Sequence, residues 1–253
     1  MPQNLPRVLE KELVKYKTRQ GRKKADFVVA EGQRCCSEIL KSQKCTIRYM
    51  LVADNGEISK NCHNFPVYWC SKEQFESLSF TENSQGIMLV IDRPTNATFQ
   101  LCDPFLLVLD GLQEPGNMGT ILRTALAVGL KEVALTKGTV DPFNPKSIRA
   151  GMGSQFNLRF SIVDSLADLK NSEALKKRKV WLTTPHGGIS CYSNEFKLEN
   201  SLLVLGEEGS GIQDFSVGEK VMIPMPGKSE SLNVAQAATI FIFEGVRQNL
   251  FTS

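Results

Sequence analysis

Long runs of consecutive apolar residues, separated by amphipathic stretches, recur along the whole chain. Residues 105–110 (FLLVLD), 202–206 (LLVLG) and 221–225 (VMIPM) lack the alternation of a half-exposed strand. Such runs are typical of strands buried on both faces, and helical patterns between them indicate a parallel sheet that helices cover on both sides. The pattern therefore predicts an α/β protein.

The first hundred residues predict a smaller α/β set of their own. It begins with a basic helix over residues 1 to about 25, which ends near Gly21. Strands are expected at 27–32, 47–54, 67–70 and 86–91, and helices at 33–42 and 71–80. Residues 92–104 (DRPTNATFQLCDP) are rich in Pro, Thr and Asn and resemble a linker. We expect one domain over 1–97 and a second over 104–253.

The second half repeats the alternation on a larger scale. Its predicted strands cover 105–110, 132–138, 157–163, 180–184, 202–206 and 221–225, and its predicted helices cover 120–128, about 145–154, 164–178 and about 232–250. The last helix is apolar on most of its surface, so it must pack against its own core or against a partner subunit.

Charge is spread unevenly over a chain whose net charge is only +3. Eight Lys and Arg residues lie between Arg7 and Lys24, against the two carboxylates of Glu10 and Glu12. Such a cluster could contact phosphates. A solvated helical face is an equally good interpretation of the cluster taken alone.

The seven cysteines predict a reducing compartment rather than a disulfide framework, because no paired spacing is present. A metal site built from Cys62, His63 and Cys70 is disfavoured, since structural zinc sites use paired ligands at tighter spacing. No run approaches the ~20 apolar residues of a membrane span. We expect a cytoplasmic protein, and the basic N-terminus also permits an organelle matrix.

Three junctions of strand, loop and helix carry the candidate chemistry. The strand at 105–110 leads into a loop with Asn117 and then a helix with Arg123, and the other two junctions follow the strands at 202–206 and 221–225. Ligands bind at such junctions because backbone N–H groups are exposed there. Taken singly, Ser231 and Asn233 are better explained as helix caps. Taken together with Asn117, Arg123 and Glu208, each at such a junction, they favour a site. Neither an NTPase lysine loop nor a dinucleotide-binding GxGxxG motif is present, and the two histidines suggest no catalytic triad.

The segments NMGTILRTALAVG, LVLGEEGSGI and IPMPGKSESLNVAQAATIFIFE resemble the three successive motifs of the SpoU/TrmH family. These enzymes methylate the ribose 2′-hydroxyl of tRNA or rRNA with S-adenosyl-L-methionine. The resemblance covers about residues 104–250 and implies a deep trefoil knot with a homodimer interface beside it. The segment GRKKADFVVAEGQRCCSEILKS is similar to the RNA-binding module that many members carry.

The resemblance also implies roles for individual residues, and it implies no metal and no membrane contact. The residues that would hold the cofactor are Leu205, Gly206, Ile223, Met225 and Leu232. The catalytic set would be Asn117, Arg123, Glu208, Ser231 and Asn233. The residues that would contact RNA are Arg22, Lys23 and Lys24.

The family's proposed general base is the arginine of the first motif, here Arg123. A guanidinium keeps its proton at neutral pH, so we expect Arg123 instead to contact a phosphate or the developing alkoxide. Asn117 would hold the guanidinium. A catalytically inactive RNA-binding or assembly factor, and a base methyltransferase of a related family, remain alternatives. The separate N-terminal module favours structured rRNA over tRNA as the substrate.

Overall fold

The computed structural model describes residues 3–54, 64–207, 211–212 and 214–251. Contacts divide the chain into two compact units. Unit 1 contains residues 1–95 and 142–157, and unit 2 contains residues 96–141 and 158–253. The predicted domains, 1–97 and 104–253, are each continuous in sequence. In the structure, unit 1 also contains residues 142–157, which come from the second half of the chain.

Unit 1 is built on a mixed sheet of five strands. The strand order is β1-β4-β3-β5-β2, in which β5 runs antiparallel to both of its neighbours. In chain order its first elements are β1 (Gln3–Asn4), α1 (Arg7–Tyr16), α2 (Arg19–Lys24), β2 (Phe27–Glu31), α3 (Gln33–Ser42), β3 (Ile47–Ala53), β4 (Val67–Cys70), α4 (Lys72–Leu78) and β5 (Ile87–Asp92).

The predicted N-terminal helix is two helices, because the chain turns sharply at Thr18. The Thr18 side chain accepts a hydrogen bond from Gly21 N (2.9 Å) and donates one to Lys15 O (2.9 Å). It therefore caps the start of α2 and gives a second donor to the Lys15 carbonyl at the end of α1, which also accepts from Thr18 N (3.1 Å). Leu13 and Tyr16 of α1 are fully buried in the core of unit 1.

Unit 2 is built on a seven-stranded sheet. Its elements, with the helix α6 that belongs to unit 1, are β6 (Phe105–Asp110), α5 (Pro115–Ala127), β7 (Glu132–Thr136), α6 (Pro145–Gly151), β8 (Arg159–Val163), α7 (Leu166–Asn171), β9 (Lys179–Thr183), β10 (Ile189–Ser190), β11 (Ser201–Gly206), β12 (Glu219–Met222) and α8 (Val234–Arg247). Short 3₁₀ turns cover Ser154–Asn157 and Phe215–Val217.

Every strand pair in this sheet is parallel, which confirms the prediction from the unbroken apolar runs. The order is β10-β12-β9-β11-β6-β7-β8. From β6 the chain builds towards β8, and it then crosses to the other half of the sheet at β9. The sheet therefore has the switch in strand order beside which α/β folds bind ligands.

The segment 142–157 leaves the β7–β8 connection and joins unit 1. There α6 lies beside β2 and α3, and the Cys35 thiol donates a hydrogen bond to Ile148 O (3.7 Å). A side chain at Gly153, whose φ is +77°, would collide with Ile39. The sequence pattern predicted this helix but could not show which unit it packs against.

The linker-like residues before β6 form no helix or strand, but two buried carboxylates hold them in place. Glu132 accepts hydrogen bonds from Gln100 N (3.0 Å) and Leu101 N (2.9 Å). Asp103 accepts them from Lys131 N (2.8 Å) and Glu132 N (2.9 Å). Buried carboxylates are costly unless they are hydrogen-bonded, so each carboxylate also stabilises the backbone it binds.

Two predicted helices of unit 2 have different bounds in the structure. α5 begins at Pro115 rather than at 120, because Glu114 accepts a hydrogen bond from Asn117 N (2.7 Å) and proline fits the first helical position. α7 ends at Asn171, well before 178, because the Ser172 hydroxyl donates to Leu169 O (2.9 Å) and its backbone turns extended. None of the described helices combines the length and apolarity needed to cross a membrane.

Gly21 is required where α2 turns back on α1, which generates a stability prediction. A Cβ at this position would lie 1.8 Å from Lys15 O and 2.6 Å from Lys15 C. Gly21→Ala should therefore lower the free energy of unfolding by at least about 1–3 kcal/mol, the usual range for overpacking. Denaturant unfolding of this variant and of the control Gln20→Ala, on the same helix, tests this. Equal stability of the two variants would contradict the expectation.

Candidate active site

A cavity of about 290 Å³ opens in unit 2 where β9 and β11 end. This is close to the lower end of the volumes that small-molecule sites have, about 300–1,000 Å³. Its walls come from the ends of β9 and β11, from the segments after β11 and β12, and from the first turns of α8. The described residues that line it are Thr183, Thr184, Pro185, Leu205, Gly206, Glu207, Gly211, Ile212, Phe215, Ile223, Met225, Ser231, Leu232, Val234, Ala237 and Phe241.

The five residues predicted to hold the cofactor all line this one cavity. Leu205 and Gly206 come from the end of β11, Ile223 and Met225 follow β12, and Leu232 precedes α8. These segments are distant in sequence and meet because parallel strands present their carboxyl ends at the same edge of the sheet. Their roles as cofactor ligands stay predictions.

The backbone approaches itself very closely at the mouth of this cavity. Glu207 pairs with Gly211 as an isolated antiparallel bridge, and Gly211 N donates to Glu207 O (2.9 Å). A Cβ on Gly206 would lie 2.7 Å from both Gly211 C and Ile212 N. Glycine at 206 is therefore needed for the turn that shapes the wall.

Phe215, which the sequence reading did not single out, supplies an aromatic wall. Its ring lines the cavity, and the Lys220 ammonium lies 4.2 Å from the ring centroid. This cation–π contact helps hold the ring in place. Thr183, Thr184 and Pro185 were also missed, because the sequence does not reveal that β9 lies next to β11. The loop after VWLTT was the available signal.

Two of the predicted catalytic residues meet beside the cavity. Asn233 Nδ2 donates a hydrogen bond to Asn117 Oδ1 (3.1 Å), which joins the start of α8 to the first turn of α5. The Asn233 Oδ1 atom also accepts from Ala235 N (3.0 Å) and Gln236 N (3.3 Å). Asn233 is thus the helix cap that the sequence allowed and, in addition, a link between two of the three motifs.

The other predicted catalytic residues are placed differently. Ser231 lines the cavity directly, and its carbonyl accepts a hydrogen bond from the Ser229 hydroxyl (2.9 Å). Glu208 lies outside the described residues. Arg123 is exposed on α5, does not line the cavity, and has no hydrogen bond or ion pair in the described part of the chain. Its position, six residues beyond Asn117, is about 9 Å further along the helix axis.

The predicted RNA-binding residues lie on α2 in unit 1. Lys23 and Lys24 are exposed, as a phosphate contact requires. Arg22 instead turns back, and its Nη1 donates to Lys17 O (2.6 Å) and Tyr16 O (3.4 Å). This guanidinium therefore caps the last turn of α1, a structural role that does not need RNA.

The described cysteines carry free thiols, and those of unit 1 are mostly buried. Burial raises the pKa of Cys35 to about 12 and holds the pKa of Cys36 well above its usual value, so both stay protonated at neutral pH. No group of three His, Cys, Asp or Glu side chains that could hold a metal ion occurs among the described residues. Cys62 and His63 lie outside them, so the disfavoured metal site involving Cys70 stays untested.

An apolar cavity at the switch point of a parallel sheet, with amide and hydroxyl groups at its border, is the arrangement in which α/β domains bind nucleotide-like small molecules. The model of the SpoU rRNA methylase family matches residues 104–243, and that of the MRM3-like substrate-binding domain matches residues 7–89. The protein belongs to the SpoU rRNA methylase family.

Known proteins are similar to this chain over nearly its whole length. The 23S rRNA (guanosine(2553)-2′-O)-methyltransferase RlmP of Bacillus subtilis is 33% identical over 243 residues, covering 92% of this chain and 94% of that protein. A putative TrmH-family RNA methyltransferase from Porphyromonas gingivalis has a TM-score of 0.81 at 29% identity, over 96% of this chain and 99% of that one. The SpoU methyltransferase AviRb from Streptomyces viridochromogenes, solved with AdoMet, has a TM-score of 0.81 at 23% identity, over 96% and 99%.

The close approach at Gly206 generates a prediction about the cavity. Gly206→Ala would push its methyl group against Gly211 and Ile212, so the wall must shift. We expect the dissociation constant for S-adenosylmethionine, measured by isothermal titration, to rise at least about tenfold, or about 1.4 kcal/mol. Gly227→Ala is the matched control, because a Cβ at 227 meets nothing within 4 Å. Unchanged binding by a folded Gly206→Ala protein would contradict the role of this wall.

Proposed function

We propose that this protein transfers the methyl group of S-adenosylmethionine to a ribose 2′-hydroxyl of ribosomal RNA. The observation that carries the proposal is the convergence of all three motifs. The segments after β11 and β12 line one cavity, and the Asn117–Asn233 hydrogen bond ties the motif on α5 to its border.

The cavity suits an adenosine bearing a sulfonium group. Leu205, Ile223 and Leu232 offer apolar surface to a flat base, and the tight turn at Gly206 leaves backbone close to any ligand. Glu207 is the only ionisable side chain among the described lining residues, so the one formal charge there is complementary to a sulfonium. S-adenosylmethionine supplies an activated methyl group when bound.

A deep trefoil knot in unit 2 is part of the proposal, and the path of the chain supports it. β11 lies between β6 and β9, two strands that precede it in the chain. The chain then passes to β12 on the far side of β9 and returns as α8, which packs beside α5. Such a return through earlier segments is among the rare exceptions to unknotted folding.

The proposed chemistry divides the work between neutral amides and one cation. The 2′-oxygen would have to be held in line with the methyl group, and its proton would pass to solvent water as the O–CH3 bond forms and the donor's S–CH3 bond breaks. Asn117 and Asn233, already fixed to each other, would orient the ribose. The guanidinium of Arg123 would bind a neighbouring phosphate or the developing alkoxide. Ser231 lines the cavity where the ribose would enter, and Glu208 would orient this set.

The rRNA preference rests on the relatives and on unit 1. RlmP of Bacillus subtilis is named as a 23S rRNA methyltransferase, and the match to a substrate-binding domain covers residues 7–89. We assign the exposed Lys23 and Lys24 to RNA contact; a contact by Arg22 stays a prediction, and its guanidinium already donates to the backbone of α1 and the residue after it. An rRNA substrate agrees with a cytoplasmic or organelle-matrix location, where ribosomes are assembled.

We further propose a homodimer through the exposed faces of α5 and α8. The two helices lie side by side, with Thr124 Oγ1 3.4 Å from Thr239 Oγ1. Phe243 and Val246 of α8 are 49% and 39% exposed, which is unusual for large apolar side chains so close together. Arg123 lies on the exposed side of α5. In a two-fold dimer built on this surface, Arg123 would serve the cavity of the partner.

Exchange of protomers tests both the catalytic role of Arg123 and its action on the partner. Arg123→Ala alone should abolish methyl transfer to unmodified rRNA while leaving S-adenosylmethionine binding within about twofold. At S-adenosylmethionine concentrations well below the dissociation constant of Gly206→Ala, mixing the two variants should raise activity above that of either alone, because heterodimers combine an intact cavity with an intact arginine. After full exchange roughly a quarter of the sites should be active.

The outcomes separate the parts of the proposal. Wild-type activity in Arg123→Ala would remove Arg123 from the mechanism. A mixture no more active than the two variants measured separately, with exchange verified by mass spectrometry, would mean that Arg123 acts within its own protomer. No methyl transfer by the wild-type protein to unmodified rRNA, despite tight S-adenosylmethionine binding, would favour a catalytically inactive RNA-binding factor.

The dimer surface has its own test. Phe243→Glu places a charge on the exposed apolar face of α8, so it should shift the mass seen by light scattering from dimer to monomer. Ile162→Glu is a matched control, because Ile162 is 55% exposed and lies on β8, an edge strand of the sheet, rather than on α5 or α8. A Phe243→Glu protein that stays dimeric would exclude this face as the interface.

A further inference from the structure

Helix α1 separates its apolar and basic side chains onto opposite faces. Leu9, Leu13 and Tyr16 pack into the core of unit 1. At 100° per residue the opposite, outward face is centred on Arg7, Lys11 and Lys15, which we call the α1 stripe. All three side chains are exposed. They follow each other at intervals of four residues, which is about 6 Å along the helix axis.

Both carboxylates of α1 lie at the flanks of this stripe. Glu10 Oε1 accepts a hydrogen bond from Gln74 Nε2 of α4 (2.8 Å). Glu12 lies towards Tyr49: the pKa of that phenol is raised, first by burial and then by the charge of Glu12. Glu10 also borders, with the stripe and Val14, a surface hollow of about 520 Å³.

The cations of the α1 stripe form no ion pairs within the described residues, in contrast to Lys41 and Lys72 of the same unit. Lys41 pairs with Glu38 at 2.9 Å, and Lys72 with Glu76 at 3.8 Å. Three unneutralised cations in a row repel one another, so an anionic partner would relieve a repulsion that folding leaves in place.

We propose that the α1 stripe binds the phosphate backbone of the substrate RNA. The inference rests on the proposed function and assigns it a docking surface that neither the family motifs nor the predicted residues Arg22, Lys23 and Lys24 include. A row of cations at regular spacing matches a polyanion with regularly spaced charges. Contacts of this kind position the RNA without reading its sequence.

Two other occupants fit the surface less well. A membrane-binding helix needs a free apolar face, but the apolar face of α1 is already buried in the core. A protein interface is generally depleted of lysine, whereas two of the three stripe residues are Lys11 and Lys15. An RNA backbone needs no free apolar face and is bound by lysine as well as by arginine.

Two exposed valines flank the stripe and extend the proposal. Val8 is 67% exposed and Val14 is 52% exposed, and Val14 borders the same hollow as the stripe. Apolar side chains among the cations would pack against ribose carbons while the cations neutralise the adjacent phosphates. Their contribution to affinity should therefore not depend on salt.

Salt dependence of RNA binding tests the proposal. The probe is a labelled hairpin RNA of mixed sequence, titrated with the full-length protein at several KCl concentrations. The triple variant Arg7→Gln, Lys11→Gln, Lys15→Gln should weaken binding at least about tenfold and reduce the slope of log K against log salt by about 2, since each lost phosphate contact contributes about 0.7 to 0.9. Val8→Thr with Val14→Thr should weaken binding without changing the slope.

The matched control removes one arginine and two lysines from another face of unit 1. Arg34→Gln, Lys41→Gln, Lys44→Gln changes the charge equally on or next to α3, where all three side chains are exposed. It should keep the wild-type slope to within about 1. Equal losses in the two triple variants, or a wild-type slope in the stripe variant, would overturn the proposal. Melting temperatures within a few degrees confirm that both variants fold.

Two further measurements distinguish the occupants and separate this inference from the proposed function. Binding to vesicles of phosphatidylserine and phosphatidylcholine, or a stripe-dependent change in oligomeric mass with RNA affinity unchanged, would overturn the assignment to RNA. In methyl-transfer assays the stripe variant should raise KM for rRNA and leave kcat and S-adenosylmethionine affinity unchanged. A wild-type protein that binds the hairpin through the stripe but transfers no methyl group would contradict the proposed function and still support this inference.

Discussion

The position of β11 is the constraint on which the site depends. Its residues pair in parallel with β6 on one side, up to Gly206 opposite Asp110, and with β9 on the other. All six of its residues are buried, so the strand is covered on both faces and its apolar side chains are kept out of water. Because the strands are parallel, fixing β11 also fixes where the three neighbouring loops begin. The cavity is a consequence of that register rather than of any one loop.

Polar side chains at the ends of helices perform a second task in the same domain. Glu114 and Asn233 each accept backbone N–H groups at the start of a helix, which stabilises α5 and α8 in the ordinary way. The amide of Asn233 has donors left over after capping, and one of them reaches Asn117. A carboxylate at 233 could cap equally well but could not donate. Asparagine at 233 therefore both caps α8 and joins it to α5, which a carboxylate could not do.

Much of the fold could be read from the sequence, and the gaps have physical reasons. Unbroken apolar runs predicted the parallel sheet and most strands of unit 2, and the motifs predicted five residues that line one cavity. Strand order is set by long-range packing, so the sequence could not predict that Thr183 and Phe215 line the cavity. The bounds of α5 and α7 depended on single hydrogen bonds at Glu114 and Ser172, which periodicity cannot register. The membership of 142–157 in unit 1 was likewise a matter of tertiary contact.

The charges of the cavity and of the N-terminal helices differ in sign, which suits the different ligands proposed for them. The net charge of +3 is too small to draw RNA from a distance by itself. The described cavity walls carry one carboxylate, whereas the N-terminal helices concentrate cations and direct their carboxylates sideways. A cavity rich in cations would compete for phosphate and repel a sulfonium, so the two binding tasks are compatible only if the charges are separated along the chain. The capping role of Arg22 fits this division, since a basic residue near the proposed RNA-binding surface can stabilise the fold rather than contact the ligand.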